Sequence, residues 1–286
     1  MITSGDLIKS KMVDKIIKLA LQEDLGNGDI TTNALVPEHQ NAFAYLLVKE
    51  KGIIAGLDVC KKIFQILDKN IKWVNLVFDG GFVKPKTKLA LLEGNYRAIL
   101  TGERTALNFL QRISGVATLT NQFVKKLNGL NTRILDTRKT LPGFRLLDKY
   151  AVALGGGSNH RIGLYDMVMI KDNHIRIAGG ITNAVKQIRK SINKNIKIEV
   201  ETTNLDEVAE ALSLKVNVIM LDNMSIPIMK KAVKLINGKT KTEASGGINL
   251  DNVRKVALTG VDFVSIGAIT HSSKGLDISL EIDSNY

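Results

Sequence analysis

The chain has 286 residues, 44% of them hydrophobic, enough to bury a large core in one or two domains. Its one cysteine, Cys60, excludes an internal disulfide framework and a cysteine-based metal cluster. The formal charge of +12 comes from scattered Lys and Arg with only 5% aromatics, a dispersal that argues against a nucleic-acid surface; a solvated exterior accounts for most of it, and the rest suits a pocket for small anions.

At the N-terminus, Lys9, Lys11, Asp14, Lys15 and Lys18 interrupt what a secretory leader would keep apolar. No stretch approaches the roughly 20 apolar residues of a membrane span. A cytoplasmic protein with no membrane partner is expected. Apolar positions Met12, Ile16, Ile17, Leu19 and Leu21 predict a helix over 8–25, stopped near Gly26. Strands are predicted over 43–49, 52–56, 73–78, 88–92 and 95–100, with an amphipathic helix over 57–67. Mixed in this way they predict an α+β lobe. Thr101 then precedes a long helical pattern that Ser114-Gly115 is expected to divide in two.

From Arg133 onward the rhythm changes. Predicted strands at 134–136, 167–170, 196–201, 216–221, 240–244 and 263–266 alternate with helices at 146–154, 181–192, 205–213, 226–236 and 250–258. Strict alternation predicts parallel strands joined by crossover helices. A doubly wound sheet would show a glycine fingerprint after its first strand, and none follows Asp136. A barrel places chemistry at the carboxyl ends of many strands, and these six end in Asp136-Thr137-Arg138-Lys139, Lys171-Asp172, Glu201, Asp222, Ser245-Gly246-Gly247 and Gly267. The fold expected is α/β, with fewer than eight barrel strands.

The strand-end cations Arg138, Lys139 and Lys171, with Arg104, His160 and Arg161, would suit a substrate with several negative charges, although surface solvation explains most Arg and Lys in any protein. Glu201 and Asp222 each follow an apolar strand. They could hold Mg²⁺, act as an acid–base pair, or pair with nearby lysines. Ser245-Gly246-Gly247 and Gly267-Ala268 follow the last two strands, where barrels commonly bind phosphate, with ordinary turn chemistry as the rival. Gly155-Gly156-Gly157 fits no nucleotide loop and reads as a helix stop. Cys60, Met167 and Met169 read as packing residues, His174 and His271 lack metal-ligand spacing with each other, and the stretch Asp24–Thr31 reads as a capped turn.

Eight stretches together resemble the quinolinate phosphoribosyltransferase family, also called nicotinate-nucleotide pyrophosphorylase (carboxylating). They are EDLGNGDITT (Glu23–Thr32), GERTALNFLQRISGVAT (Gly102–Thr118), DTRKTLPGFR (Asp136–Arg145), GGGSNHRIGLYDMVMIKDNH (Gly155–His174), EVE (Glu199–Glu201), LDN (Leu221–Asn223), EASGGI (Glu243–Ile248) and SIGAIT (Ser265–Thr270). The resemblance implies a type II phosphoribosyltransferase-like fold: an N-terminal α/β sandwich lobe over 1–110, an open α/β barrel over 111–271, and a terminal segment, 272–286, packed back on the lobe. It implies transfer of phosphoribosyl to quinolinate with decarboxylation. Arg138, His160, Arg161 and Lys171 would meet the quinolinate carboxylates, and Lys139 and Thr137 would lie beside them, Lys139 near the phosphates. Glu201 and Asp222 would serve the ribose and Mg²⁺–pyrophosphate, and Ser245, Gly246, Gly247, Gly267 and Ala268 the 5-phosphate. Lys139, Lys171, Glu201 and Asp222 would be catalytic. A homodimer is implied, possibly assembling further, with Arg104 entering the neighbour's site. The alternatives are a transferase on the same fold that uses nicotinate or another nitrogen acceptor, a barrel lyase with Lys171 as Schiff-base amine, and an anion- or nucleic-acid-binding module; no nucleic-acid partner is expected.

Overall fold

The computed structural model describes residues 3–283. Residues 1 and 2 of the expected first domain, and 284–286 of the expected returning segment, lie outside the described residues. The chain divides into two compact units.

The first unit takes in the described residues up to Asn121, Thr140–Gly156, and those from Thr270 on. Its antiparallel sheet runs Ile278–Ile282, Asn41–Val48, Lys88–Asn95, Lys72–Asn75. Alternation in Asn41–Val48 buries Ala42, Ala44, Leu46 and Val48 on one face. The helix Leu57–Leu67 buries Leu57, Val59, Cys60, Ile63 and Phe64, so Cys60 is a core residue and burial pushes its thiol up.

Three expectations in this unit are corrected. The helix over 8–25 breaks at Ser10 into Ser4–Lys9 and Lys11–Leu25, because the Ser10 side chain accepts the Val13 N–H as a new N-cap. Residues 96–100 are helical, not a strand, since Asn95 Oδ1 accepts the Ala98 N–H at 3.1 Å and starts the turn. Ser114-Gly115 does not divide the helix, which runs unbroken over Tyr96–Lys126. Ser114 Oγ instead accepts the Ala55 N–H at 3.0 Å. A Cβ on Gly115 would lie 2.0 Å from the Lys274 carbonyl, so this glycine serves close backbone approach, not a break.

The second unit comprises Gln122–Lys139 and Gly157–Ile269. Its six strands are all parallel, in the order Arg133–Leu135, Phe263–Ser265, Lys241–Ser245, Val218–Asp222, Ile198–Thr202, Val168–Ile170. All six predicted strands are present. No pairing joins the two end strands among the described residues, so the barrel is open. Val200, Ile219, Leu221, Ala244 and Val264 are fully buried, as strands covered on both faces require. The helix expected over 250–258 shortens to Val253–Ala257, because Asn249 Oδ1 holds the Asp251 and Asn252 N–H groups in a turn. A short helix, Asp172–Ala178, was not anticipated.

Candidate active site

Parallel strands deliver all their carboxyl ends to one rim. In sheet order that rim carries Thr137, Arg138 and Lys139, then Gly267-Ala268, Ser245-Gly246-Gly247, Asp222, Glu201 and Lys171. Residues as far apart in sequence as Thr137 and Ala268 thus line one edge of one unit, with the glycine turns flanked by cations on one side and acids on the other.

His160 and Arg161 reach this rim through a buried clamp. Asp136, fully buried at the end of its strand, accepts the His160 N–H on Oδ1 at 2.8 Å and the Asn159 side-chain amide on Oδ2 at 2.7 Å. A bridge between Leu135 and Ser158 lays the incoming segment alongside the strand. Arg161 then donates from Nη1 to the Met167 carbonyl at 3.0 Å and from Nη2 to Met169 Sδ at 3.8 Å, so the two methionines also seat a guanidinium. Burial and the nearby Arg138 cation both lower the Arg161 pKa, and Arg138 Nε is buried without a hydrogen-bond partner. Two guanidiniums close enough to repel, one with an unmet donor, form a place where an anion is favoured.

Lys171 follows its strand and donates to Glu201 Oε2 at 2.9 Å across the paired strand. Asp222 is half-buried and accepts the Asn223 amide on Oδ2 at 2.8 Å. Each acid therefore uses one oxygen, and the other has no hydrogen-bond partner among the described residues. Gly246 and Gly247 have φ of +95° and +62°, conformations that favour glycine and expose backbone N–H groups to a ligand. Arg104 lies in the first unit, exposed on the helix Tyr96–Lys126. Thr137 Oγ1 accepts the Lys139 N–H at 3.0 Å and shapes that turn.

Below the rim lies a cluster that sequence reasoning missed. His160 Nε2 is 3.0 Å from Glu199 Oε2 and 3.4 Å from Glu243 Oε2, and both acids are buried to 1% exposure or less. Burial raises the Glu199 pKa to about 7. At His160 burial favours the neutral ring, but hydrogen bonds to the two acids outweigh it and raise the pKa to about 10. Both shifts state one fact: the cluster retains a proton at neutral pH. The Arg161 N–H donates to His160 Nδ1 at 2.7 Å, so that nitrogen needs its lone pair and the ring proton sits on Nε2. The retained proton is therefore held between the carboxylates. Their donor atoms all lie within 4.8 Å, a spacing a metal could use, but a protonated Nε2 cannot ligate one. The signal available was the alternation in Ile198-Glu199-Val200-Glu201, which puts both acids on one face of a strand.

A groove of about 910 Å³ lined by Leu212, Lys215, Asn217 and Lys241 opens where the strands begin, away from these residues. The polar Thr240 Oγ1 there is already bound to the Val216 and Asn217 carbonyls.

Comparisons with known proteins find likeness along nearly the whole chain. The family description "Quinolinate phosphoribosyl transferase, N-terminal domain" fits residues 29–114, and its C-terminal counterpart fits residues 116–281. A chloroplastic nicotinate-nucleotide pyrophosphorylase (carboxylating) of Arabidopsis thaliana is 47% identical over 287 residues, covering 94% of this chain and 82% of that one. A probable nicotinate-nucleotide pyrophosphorylase (carboxylating) of Synechocystis is 46% identical, covering 96% and 94%. The solved structure of the nicotinate-nucleotide pyrophosphorylase from Francisella tularensis superposes with a TM-score of 0.92 at 45% identity, covering 95% and 96%. No helix among the described residues is long and apolar enough to cross a membrane.

Proposed function

The chain belongs to the quinolinate phosphoribosyltransferase family, and we infer that its strand-end rim is where it carries out that family's reaction. It transfers phosphoribosyl from 5-phosphoribosyl-1-pyrophosphate to quinolinate with loss of carbon dioxide, giving nicotinate mononucleotide and pyrophosphate. The placement on the rim rests on one observation: Arg138, Arg161 and Lys171 share it with Glu201, Asp222 and the Ser245–Gly247 turn.

In the proposed arrangement Arg138, Arg161 and Lys171 hold the two quinolinate carboxylates. His160, whose side chain is 7% exposed, backs them from below. Lys139, with Thr137 shaping its turn, faces the phosphates. Ser245, Gly246, Gly247, Gly267 and Ala268 take the 5-phosphate through backbone N–H groups. Glu201 and Asp222 face the ribose and pyrophosphate. Their two spare carboxylate oxygens fit Mg²⁺, a hard cation that typically takes one or two carboxylates plus substrate phosphate oxygens. Mg²⁺ would neutralise the departing pyrophosphate.

The pyridine nitrogen attacks the anomeric carbon as the bond to pyrophosphate breaks. Lys139 offsets charge on the leaving group, while the negative carboxylates of Glu201 and Asp222 favour the cationic sugar that develops. The new pyridinium then accepts the electron pair left when the adjacent carboxylate departs as carbon dioxide, and a proton replaces it on the ring. Arg138 holds the carboxylate that stays, and Arg161 meets the one that departs.

The proposed working form is a homodimer in which Arg104 enters the neighbour's site; its exposure on a long helix supports that role. The proposed location is cytoplasmic, although the plant relatives are named chloroplastic or mitochondrial. A turnover assay with quinolinate, phosphoribosyl pyrophosphate and Mg²⁺ should form nicotinate mononucleotide with one carbon dioxide each. Faster turnover of nicotinate without gas release would overturn the assignment.

A further inference from the structure

Strands Val218–Asp222 and Lys241–Ser245 pair in parallel, with Asp222 opposite Ser245. One more ladder bond follows that pair. The Asn223 N–H donates to the Ser245 carbonyl at 2.9 Å, and Asn223 makes the bond with φ of +52°. That left-handed conformation is uncommon outside glycine, and asparagine is among the residues that bear it best. The Asn223 side chain then works in two directions. Nδ2 donates to Asp222 Oδ2 at 2.8 Å. Its other edge lies against Gly246, where an added Cβ would sit 2.1 Å from Oδ1 and 2.5 Å from Cγ.

A half-buried aspartate still reaches water, which could serve it without an amide partner. Here the chain instead adopts a strained backbone and leaves no room for a side chain at position 246, so that one amide can touch both strand ends. Asp222 cannot turn, nor the Gly246–Gly247 turn move inward, without displacing the same side chain. We propose that Asn223 is a positioning residue that ties Asp222 to the Ser245–Gly247 turn, so that the pyrophosphate and 5-phosphate ends of the sugar substrate are bound as one unit. This rests on the reading of the rim given above and assigns Asn223 no contact with the reacting atoms.

Such a tie has a thermodynamic signature. Two ligands that settle the same element help one another reciprocally. Ribose 5-phosphate and pyrophosphate, the two halves of the sugar substrate, should therefore bind cooperatively at fixed Mg²⁺. The test is calorimetric titration of pyrophosphate with and without saturating ribose 5-phosphate, on the unaltered protein and on Asn223→Gly and Asn223→Asp. Glycine keeps the left-handed backbone and deletes the amide. Aspartate keeps the volume but replaces the donor with a second negative charge beside Asp222, and it carries the test if the glycine variant fails to fold.

In the unaltered protein, ribose 5-phosphate should tighten pyrophosphate binding by at least about fivefold, the lower range of typical site coupling. In the variants the ratio should fall to within about twofold, with quinolinate binding unchanged. The Michaelis constant for phosphoribosyl pyrophosphate should rise, and that for quinolinate should not. A ratio of one in the unaltered protein, or an undiminished ratio in the variants, would overturn the tie while leaving the function intact. Failure of the unaltered protein to bind either fragment would bring down the reading of the rim, and the tie with it.

Discussion

Replacing Glu199 with Gln tests the buried cluster directly. A free carboxyl of this type releases its proton near 4.5, whereas Glu199 holds it to about 7 because burial penalises the anion. The raised value at His160 reports the same retained proton, not a second one. Between pH 4.5 and about 7 the folded chain therefore holds a proton that the unfolded chain has released. Stability from these groups is fully present below about pH 4.5 and is lost as pH rises through that window. Retaining that shared proton is worth on the order of 3 kcal/mol. At roughly 2–4 °C per kcal/mol for a chain of comparable size, its loss lowers the melting temperature by several degrees between pH 5 and pH 9. Gln cannot ionise, so Glu199→Gln should flatten that descent. The assay is thermal unfolding across pH for both proteins, read as the difference between the two curves so that other titrating groups cancel. Parallel curves would refute the account of a shared, buried proton.

Other substitutions follow from the same geometry. Arg138→Ala and Lys171→Ala should each lose about 10²–10³ in turnover, the usual loss for one transition-state contact, while melting within a few degrees of the unaltered chain. Near-normal kinetics in both would remove the site assignment. Gly115→Ala should destabilise by about 1–3 kcal/mol despite alanine's better helix propensity, because its methyl meets the Lys274 carbonyl; an unchanged denaturation midpoint would contradict that. Mixing inactive Arg104→Ala with inactive Asp222→Asn under subunit exchange should restore activity, since one hybrid site is intact, and no recovery would count against Arg104 serving the neighbour. Chelation should abolish turnover, and Mg²⁺ should restore it.

The second unit was more legible than the first, for physical reasons. Buried parallel strands such as Val218–Asp222 and Lys241–Ser245 are short apolar runs bounded by polar ends, so their number and rim were readable from the chain. In the first unit local signals competed with distant contacts. Gly115 reads as a break unless the backbone at Lys274 is known to press on it, and Asn95 ends a strand and caps a helix in the same residue. The charged rim residues were readable because each follows an apolar run. Glu199 and Glu243 were not, because an acid inside a strand has no evident partner until the fold brings His160 to it. Asn223 was hidden likewise: its importance lies in a backbone angle and in the space above Gly246, neither of which a residue name reveals.

The account's central claim is that cations distant in sequence form one cup for a doubly negative ring acid. Equilibrium binding of quinolinate and nicotinate to the unaltered protein and to Arg161→Ala measures it most directly. A charged hydrogen bond contributes about 1.5–3 kcal/mol, so the unaltered protein should prefer quinolinate by about tenfold or more, and the variant by no more than about threefold. An equal preference in both proteins would show that Arg161 does not read the second carboxylate, and would contradict the claim.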